Sequence, residues 1–250
     1  MTIPRRALLA TPFILAAGTA PLAATPIARM DTRWWRERHH QKLREIRNRK
    51  IDLVFLGDSI TQNWEKSGPP DWLDFQPAWQ RLYGARNALN LGFSGDATSH
   101  LLWRLVNGEV EGLTPKAAVI LIGANNLGRL HWPPGETVEG IEAVVAETRR
   151  RLPRARILLL GVLPSIRSAW VNEVTATINA GLARHYGGDT VPMVTYRDVG
   201  QVFMKGGAVD PAQFYDPYLT PPESAVHPTA QAQERMARMV EPTLAALLAG

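Results

Sequence analysis

A serine hydroxyl attacks an ester carbonyl when a base takes its proton and N–H donors receive the charge that develops on the carbonyl oxygen. Four short stretches of this chain carry the residue types such chemistry needs: Gly57-Asp58-Ser59, Gly92-Phe93-Ser94-Gly95-Asp96, Gly123-Ala124-Asn125-Asn126 and Val226-His227-Pro228. Ser59 offers the nucleophile, and its own N–H stays free if a helix starts there. Gly95 would let a backbone N–H approach a substrate with no Cβ in the way. Asn125 offers a carboxamide donor and His227 a base. Each stretch alone is a weak signal, because Gly-Asp-Ser is common, Ser94 is an alternative serine, and an isolated histidine is more often structural.

Their placement gives them weight. Short runs rich in Val, Ile and Leu occupy residues 51–56 (IDLVFL), 88–91, 117–122, 156–162 and 191–195, each bounded by turn residues, as buried parallel strands are. Residues 97–106, 136–152, 169–186 and 229–248 have helical spacing. The alternation predicts a doubly wound α/β sandwich, and open α/β sheets bind ligands beyond the carboxyl ends of their strands. The serine, glycine and asparagine stretches follow the first three strands directly, and His227 stands just before the last helix. Residues 200–222, rich in Gly and Pro, form the one long irregular stretch, and loops of that length are often functional.

Composition narrows the class. With 250 residues, 27.7 kDa and 45% apolar residues, the chain can build one sizeable core. A net charge of +5 does not demand a nucleic acid partner, and the absence of cysteine excludes disulfides, zinc knuckles and a thiol nucleophile. Arg5 and Arg6, then the apolar residues 7–17 (ALLATPFILAA), then small residues, follow the order of an export signal over residues 1–25. The arginine pair resembles a twin-arginine leader, ordinary secretion and an uncleaved anchor being the alternatives. Cleavage is expected between Ala20 and Ala28, leaving a periplasmic or secreted protein. Residues 26–50 form a basic helical segment, with nine basic residues from Arg29 to Lys50, read as a narrow apolar stripe (Trp34, Trp35, Leu43, Ile46) under a solvated face. The adjacent His39 and His40 point in different directions on a helix and are not read as metal ligands.

Taken together, Gly57-Asp58-Ser59, Gly95, Asn125 and His227 resemble the four blocks of the SGNH (GDSL-type) esterases and acetylhydrolases. Within them the chain is most similar to the group of the platelet-activating-factor acetylhydrolase catalytic subunits, through Leu89-Asn90-Leu91-Gly92, Leu102-Trp103-Arg104-Leu105 with Asn107-Gly108-Glu109, Gly140-Ile141-Glu142-Ala143 and Leu163-Pro164. The resemblance spans about residues 31–250. It implies a hydrolase domain over residues 51–250 with a three-layer, flavodoxin-like sandwich on a five-stranded parallel sheet, no metal or organic cofactor, and pairing into a homodimer. Ser59 would be nucleophile, His227 base, and the Ser59 N–H, Gly95 N–H and Asn125 side chain the oxyanion donors. Asp58 and Asp96 are read as turn-stabilising groups that bond backbone N–H groups.

One departure concerns the acid. The family places an aspartate three residues before its histidine, and here that residue is Ser224. Asp216, Glu223 or a backbone carbonyl could orient His227 instead, or the centre could be a plain Ser59–His227 dyad. Residues 208–216 resemble the family stretch that ends in the acid, as though 217–225 were inserted between acid and base. Trp64, Trp72, Trp79, Trp103, Trp132 and Trp170 could stack on a sugar, with Trp64 and Trp132 the best candidates for pocket walls. The expected substrate is a small ester or an acylated polysaccharide, the acyl group being acetyl. The alternative is a catalytically impaired member that binds a glycan or a partner.

Overall fold

The computed structural model describes residues 20–68, 74–215 and 226–249. The strands are β1 (Leu53–Gly57), β2 (Ala88–Gly92), β3 (Ala117–Leu121), β4 (Arg156–Leu160) and β5 (Val194–Arg197). They form one parallel five-stranded sheet in the order β2-β1-β3-β4-β5. β1 to β3 are buried on both faces, so their sequences are continuous apolar runs rather than alternating ones. β5 starts later than the apolar run 191–195 suggests. Met193 takes a left-handed φ of 66° and Val194 N–H bonds back to Val191 O, so a turn consumes the start of that run.

Helices α1 (Arg33–Asn48), α4 (Thr98–Val106), α6 (Pro134–Arg151) and α7 (Ala169–Tyr186) cover one face of the sheet, where Val54, Leu56, Ile120 and Leu159 meet Ile46, Leu101, Ile141 and Ile178. α3 (Phe75–Tyr83) and α8 (Ala230–Ala249) cover the other, where Phe55, Val119 and Leu158 meet Trp79, Tyr83, Met236 and Val240. Two short helices, α2 (Ser59–Gln62) and α5 (Ala124–Gly128), start at the ends of β1 and β3. The irregular stretch holds a small hairpin of β6 (Met204–Lys205) and β7 (Ala208–Val209) between 3₁₀ turns. No described helix is long and apolar enough to cross a membrane.

Residues 1–19, which carry the expected leader, lie outside the described residues. Residues 20–25, assigned above to the same leader, pack on the domain: a 3₁₀ turn at Leu22–Ala24 sits against α4 and α6, Ala23 is fully buried, and the Thr98 hydroxyl donates to its carbonyl at 2.7 Å. The basic helix α1 also differs from a solvated face. Arg38 donates to the Gly92 carbonyl (2.8 Å) and to Glu65, and the buried Lys42 reaches Glu45 and Glu65. Trp34 is exposed while Trp35 is buried. Part of the charge is thus turned inward to bind the carboxyl end of β2.

Candidate active site

The register sets the site. Gly57 at the end of β1 lies beside Gly92 of β2 and Leu121 of β3, so the loops that follow these strands emerge side by side. A Cβ on Gly57 would overlap the Leu121 carbonyl and the Thr61 hydroxyl, which is why α2 can fold back so close to the sheet. Asp58 caps α2, its Oδ1 accepting the Ile60 N–H at 2.9 Å. Ser59 is then the first helical residue, and neither its N–H nor that of Gly95 has an acceptor among the described residues.

His227 comes to the same point from the far end of the chain. Its Nε2 lies 2.8 Å from Ser59 Oγ. A short antiparallel clip holds it there: Tyr215 N–H donates to His227 O (2.8 Å), Phe214 bridges Pro228, and Thr229 N–H donates to Gln213 O (2.8 Å). Gln233 of α8 donates to the Ile60 carbonyl at 2.8 Å and ties the last helix to α2.

Gly95 sits in the turn between β2 and α4 with φ +72°, a conformation glycine adopts without strain. Asn125, in the first turn of α5, donates from Nδ2 to the Asp96 carbonyl at 3.0 Å and toward Asp58 Oδ2 at 3.4 Å. The second bond is long and weak, so that hydrogen is the one a developing oxyanion can take. Asn126 fixes α5 to α4, accepting the Thr98 N–H (3.0 Å) and donating to the Thr98 hydroxyl (2.7 Å).

Asp58 behaves as the turn group expected of it, and Asp96 does not. Instead of bonding backbone N–H groups, the Asp96 carboxylate accepts from Arg104 Nε (2.9 Å), Arg29 Nη1 (2.8 Å) and Trp35 Nε1 (2.8 Å). Arg104 is fully buried and also donates to Leu91 O (3.0 Å), Gly57 O (3.0 Å) and Glu109. One guanidinium therefore joins the ends of β1 and β2 to the Gly95 turn. Neither Arg29 nor Arg104 was singled out from sequence as a site residue. The available signal was a charged residue on the apolar stripe Leu101, Leu102, Leu105.

Burial shapes the ionisation here. It pushes the Asp58 carboxyl up to about 7, against the Ile60 hydrogen bond and the attraction of His227, and it pushes Glu109 up to about 7 despite Arg104. Burial foremost, with neighbouring cationic groups, lowers His39 and His100 to about 4.

Trp64 lines a small interior cavity with Phe55, Ile60 and Tyr83 rather than an open surface pocket. It is 3% exposed and packs in the aromatic core with Trp79 and Tyr83. Trp132 is half-buried near α5, its N–H bonded to Asn126 O at 2.8 Å. Trp72, Asp216, Glu223 and Ser224 lie outside the described residues. Ser94 is exposed, with its N–H on Gln62 Oε1 at 2.7 Å.

A serine in contact with an imidazole at the carboxyl edge of a doubly wound sheet is suited to attack on an ester, and the comparisons with known proteins show the family. The chain belongs to the GDSL-like lipase/acylhydrolase family, matching it over residues 55–235. It is 32% identical over 172 residues to human platelet-activating factor acetylhydrolase IB subunit alpha1, covering 66% of this chain and 69% of that protein. Among solved structures it resembles a GDSL-like lipase from Bacteroides thetaiotaomicron (TM-score 0.61, 18% identity, 84% of this chain and 97% of that one). It also resembles a carbohydrate acetylesterase family member from Sinorhizobium meliloti (TM-score 0.56, 20% identity, 81% and 100%). The protein is an ester-hydrolysing enzyme, and the binding-module alternative is set aside.

Proposed function

We propose that the protein is an exported serine esterase that removes acetyl groups, with Ser59 as nucleophile, His227 as base and the N–H groups of Ser59 and Gly95 together with Asn125 Nδ2 as the oxyanion hole. The 2.8 Å contact between Ser59 Oγ and His227 Nε2 carries this reading. His227 takes the Ser59 proton as Oγ attacks the ester carbonyl, and the three donors hold the tetrahedral oxyanion. His227 then protonates the departing alcohol oxygen. Water, deprotonated by the same imidazole, attacks the acyl-serine and releases acetate with Ser59 restored.

The short acyl group is supported by the resemblance to acetylhydrolases and by the human relative named as an acetylhydrolase. The carbohydrate acetylesterase among its structural neighbours and the half-buried Trp132 favour a sugar ester. A homodimer, and a periplasmic or secreted location, belong to the same reading and rest on the resemblance and on the leader pattern of residues 1–25.

Asp216 is the acid that supports His227 in this reading. Tyr215, its neighbour in the chain, donates its N–H to the His227 carbonyl, so the acid-bearing strand and the base-bearing strand are already paired at the residue before Asp216. Hydrolysis of 4-nitrophenyl acetate by wild type and by Ser59→Ala at equal concentration tests the proposal. The expected outcome is turnover in the wild type and a loss of at least about a thousandfold in the variant. Equal rates in the two proteins would refute it.

A further inference from the structure

Two guanidinium groups converge on Gly95. Arg29 arrives from the segment before α1, its Nη1 donating to Ser94 O (2.9 Å) and to Asp96 Oδ1 (2.8 Å). Arg129 arrives from the residue that follows α5, with Nη1 3.4 Å from Gly95 O. A Cβ added to Gly95 would run into Arg129 Nη1 and touch Arg29 Nη1, so both cations flank the turn that carries the Gly95 N–H. A third, Arg167, lies against Gly128 at the end of the same short helix.

The charges do not cancel. Asp96 is shared between Arg29 and Arg104, and Arg104 also pairs with Glu109. Arg129 and Arg167 are exposed and have no carboxylate partner among the described residues. The one polar bond of Arg129 is long, which leaves nearly all of its five N–H donors free. Burial foremost holds the His100 imidazole neutral, with Asp96 opposing and Arg29, Arg104 and Arg129 adding smaller contributions in the same direction as burial. A planar guanidinium with free donors is suited to carboxylate, sulfate or phosphate, which it grips through two parallel bonds.

We propose that the substrate is an acetyl ester of an anionic alcohol, one bearing a carboxylate, sulfate or phosphate near the esterified oxygen, with that anion seated between Arg29 and Arg129. The inference rests on the esterase reading of this site. The anion is assigned to the alcohol portion because the acyl group in that reading is acetyl, which carries no ionisable group.

The experiment compares 4-acetoxybenzoate with its neutral methyl ester, each kcat/KM divided by the rate of hydroxide hydrolysis to remove intrinsic reactivity. The expected result is a preference of about tenfold for the anion, equivalent to about 1.4 kcal/mol, that shrinks as salt is raised to about 0.5 M. Arg129→Gln is expected to lower this ratio and Arg129→Lys to restore part of it; because the ratio is taken within each variant, a general loss of activity cancels. The wild-type salt dependence needs no variant at all.

No preference in the wild type, or a ratio unchanged by Arg129→Gln, overturns the proposal. A preference seen only on the acyl side, for 4-nitrophenyl hydrogen succinate over 4-nitrophenyl butyrate, overturns the assignment to the alcohol. If neither ester is turned over above the Ser59→Ala background, the esterase reading itself falls, whereas Ser59-dependent turnover without charge preference removes this inference alone.

Discussion

Asp58 has its carboxyl fully inside the protein, where it caps α2 one residue before Ser59. Unfolded, it titrates near the ordinary 3.8; folded, burial holds it near 7. Between those values the folded state keeps a proton that the unfolded chain has lost, so this group's contribution to stability is complete below about pH 4 and is lost as pH rises through 7. Asp58→Asn keeps the capping oxygen and removes the titration. The variant should therefore gain on the wild type by on the order of a few kcal/mol between pH 4 and 8, read as the difference in urea midpoints across that range. Parallel midpoint curves would show that Asp58 is ionised throughout. His39 and His100 act in the opposite sense in the wild type: lowered to about 4, they weaken the fold as pH falls from 6.5 toward 4 and partly mask Asp58, which is why the variant-minus-wild-type difference is the quantity to measure. Ser59, Gly95, Asn125 and His227 were legible because each follows a strand or precedes a helix with a recognisable pattern. Arg29 and Arg129 were not, since they stand 100 positions apart and only the folded chain places both against Gly95.

The long apolar runs and long helices were readable because burial imposes a period. α7 occupies the residues its spacing predicts, Ala169–Tyr186, and starts where Ser168 Oγ accepts the Val171 N–H at 3.1 Å. α3 was missed although Phe75, Ala78, Trp79 and Tyr83 have helical spacing and are buried. Pro77 and the preceding Gly68-Pro69-Pro70 argue for a loop there, yet a proline in the first turn costs a helix nothing, because the N–H it lacks would have no partner. The Leu22–Ala24 turn was missed for a different reason: small residues after an apolar run read as a cleavage region, and their docking on α4 and α6 is tertiary. Cleavage at the Ala20 end of the expected 20–28 window would keep this docking. A chain beginning at Ile27 would lose the Thr98 hydroxyl to Ala23 carbonyl bond and the burial of Ala23, together about 1–2 kcal/mol, and should melt about 3–6 °C below a chain beginning at Ala20. Equal melting temperatures would show that the turn adds nothing to the fold.

The proposed catalytic centre is assembled from opposite ends of the chain, with Ser59 just after the first strand and His227 just before the last helix, and strands β2 to β5 stand between them in sequence. What closes the circuit is small: the Phe214–Pro228 bridge, the bonds Tyr215 N–H to His227 O and Thr229 N–H to Gln213 O, and Gln233 reaching back to Ile60. This clip holds His227 through residues 213–215 and 228–229. The family's expected aspartate position is Ser224, and the reading that Asp216 serves instead predicts a separable loop. Replacing residues 218–224 by a short Gly-Ser link removes Glu223 and Ser224 together while leaving Asp216 beside the clip, and turnover of 4-nitrophenyl acetate should stay within about threefold of wild type, a change worth less than 1 kcal/mol in the barrier. Asp216→Asn in the full chain should instead lower kcat by about 10⁴-fold with the melting temperature unchanged, because an amide holds the imidazole in the wrong tautomer and brings no charge to the imidazolium. If the shortened loop loses activity to the same degree and Asp216→Asn does not, the acid is Glu223. If neither change matters beyond a few fold, Ser59 and His227 work as a dyad, and the clip alone orients the imidazole.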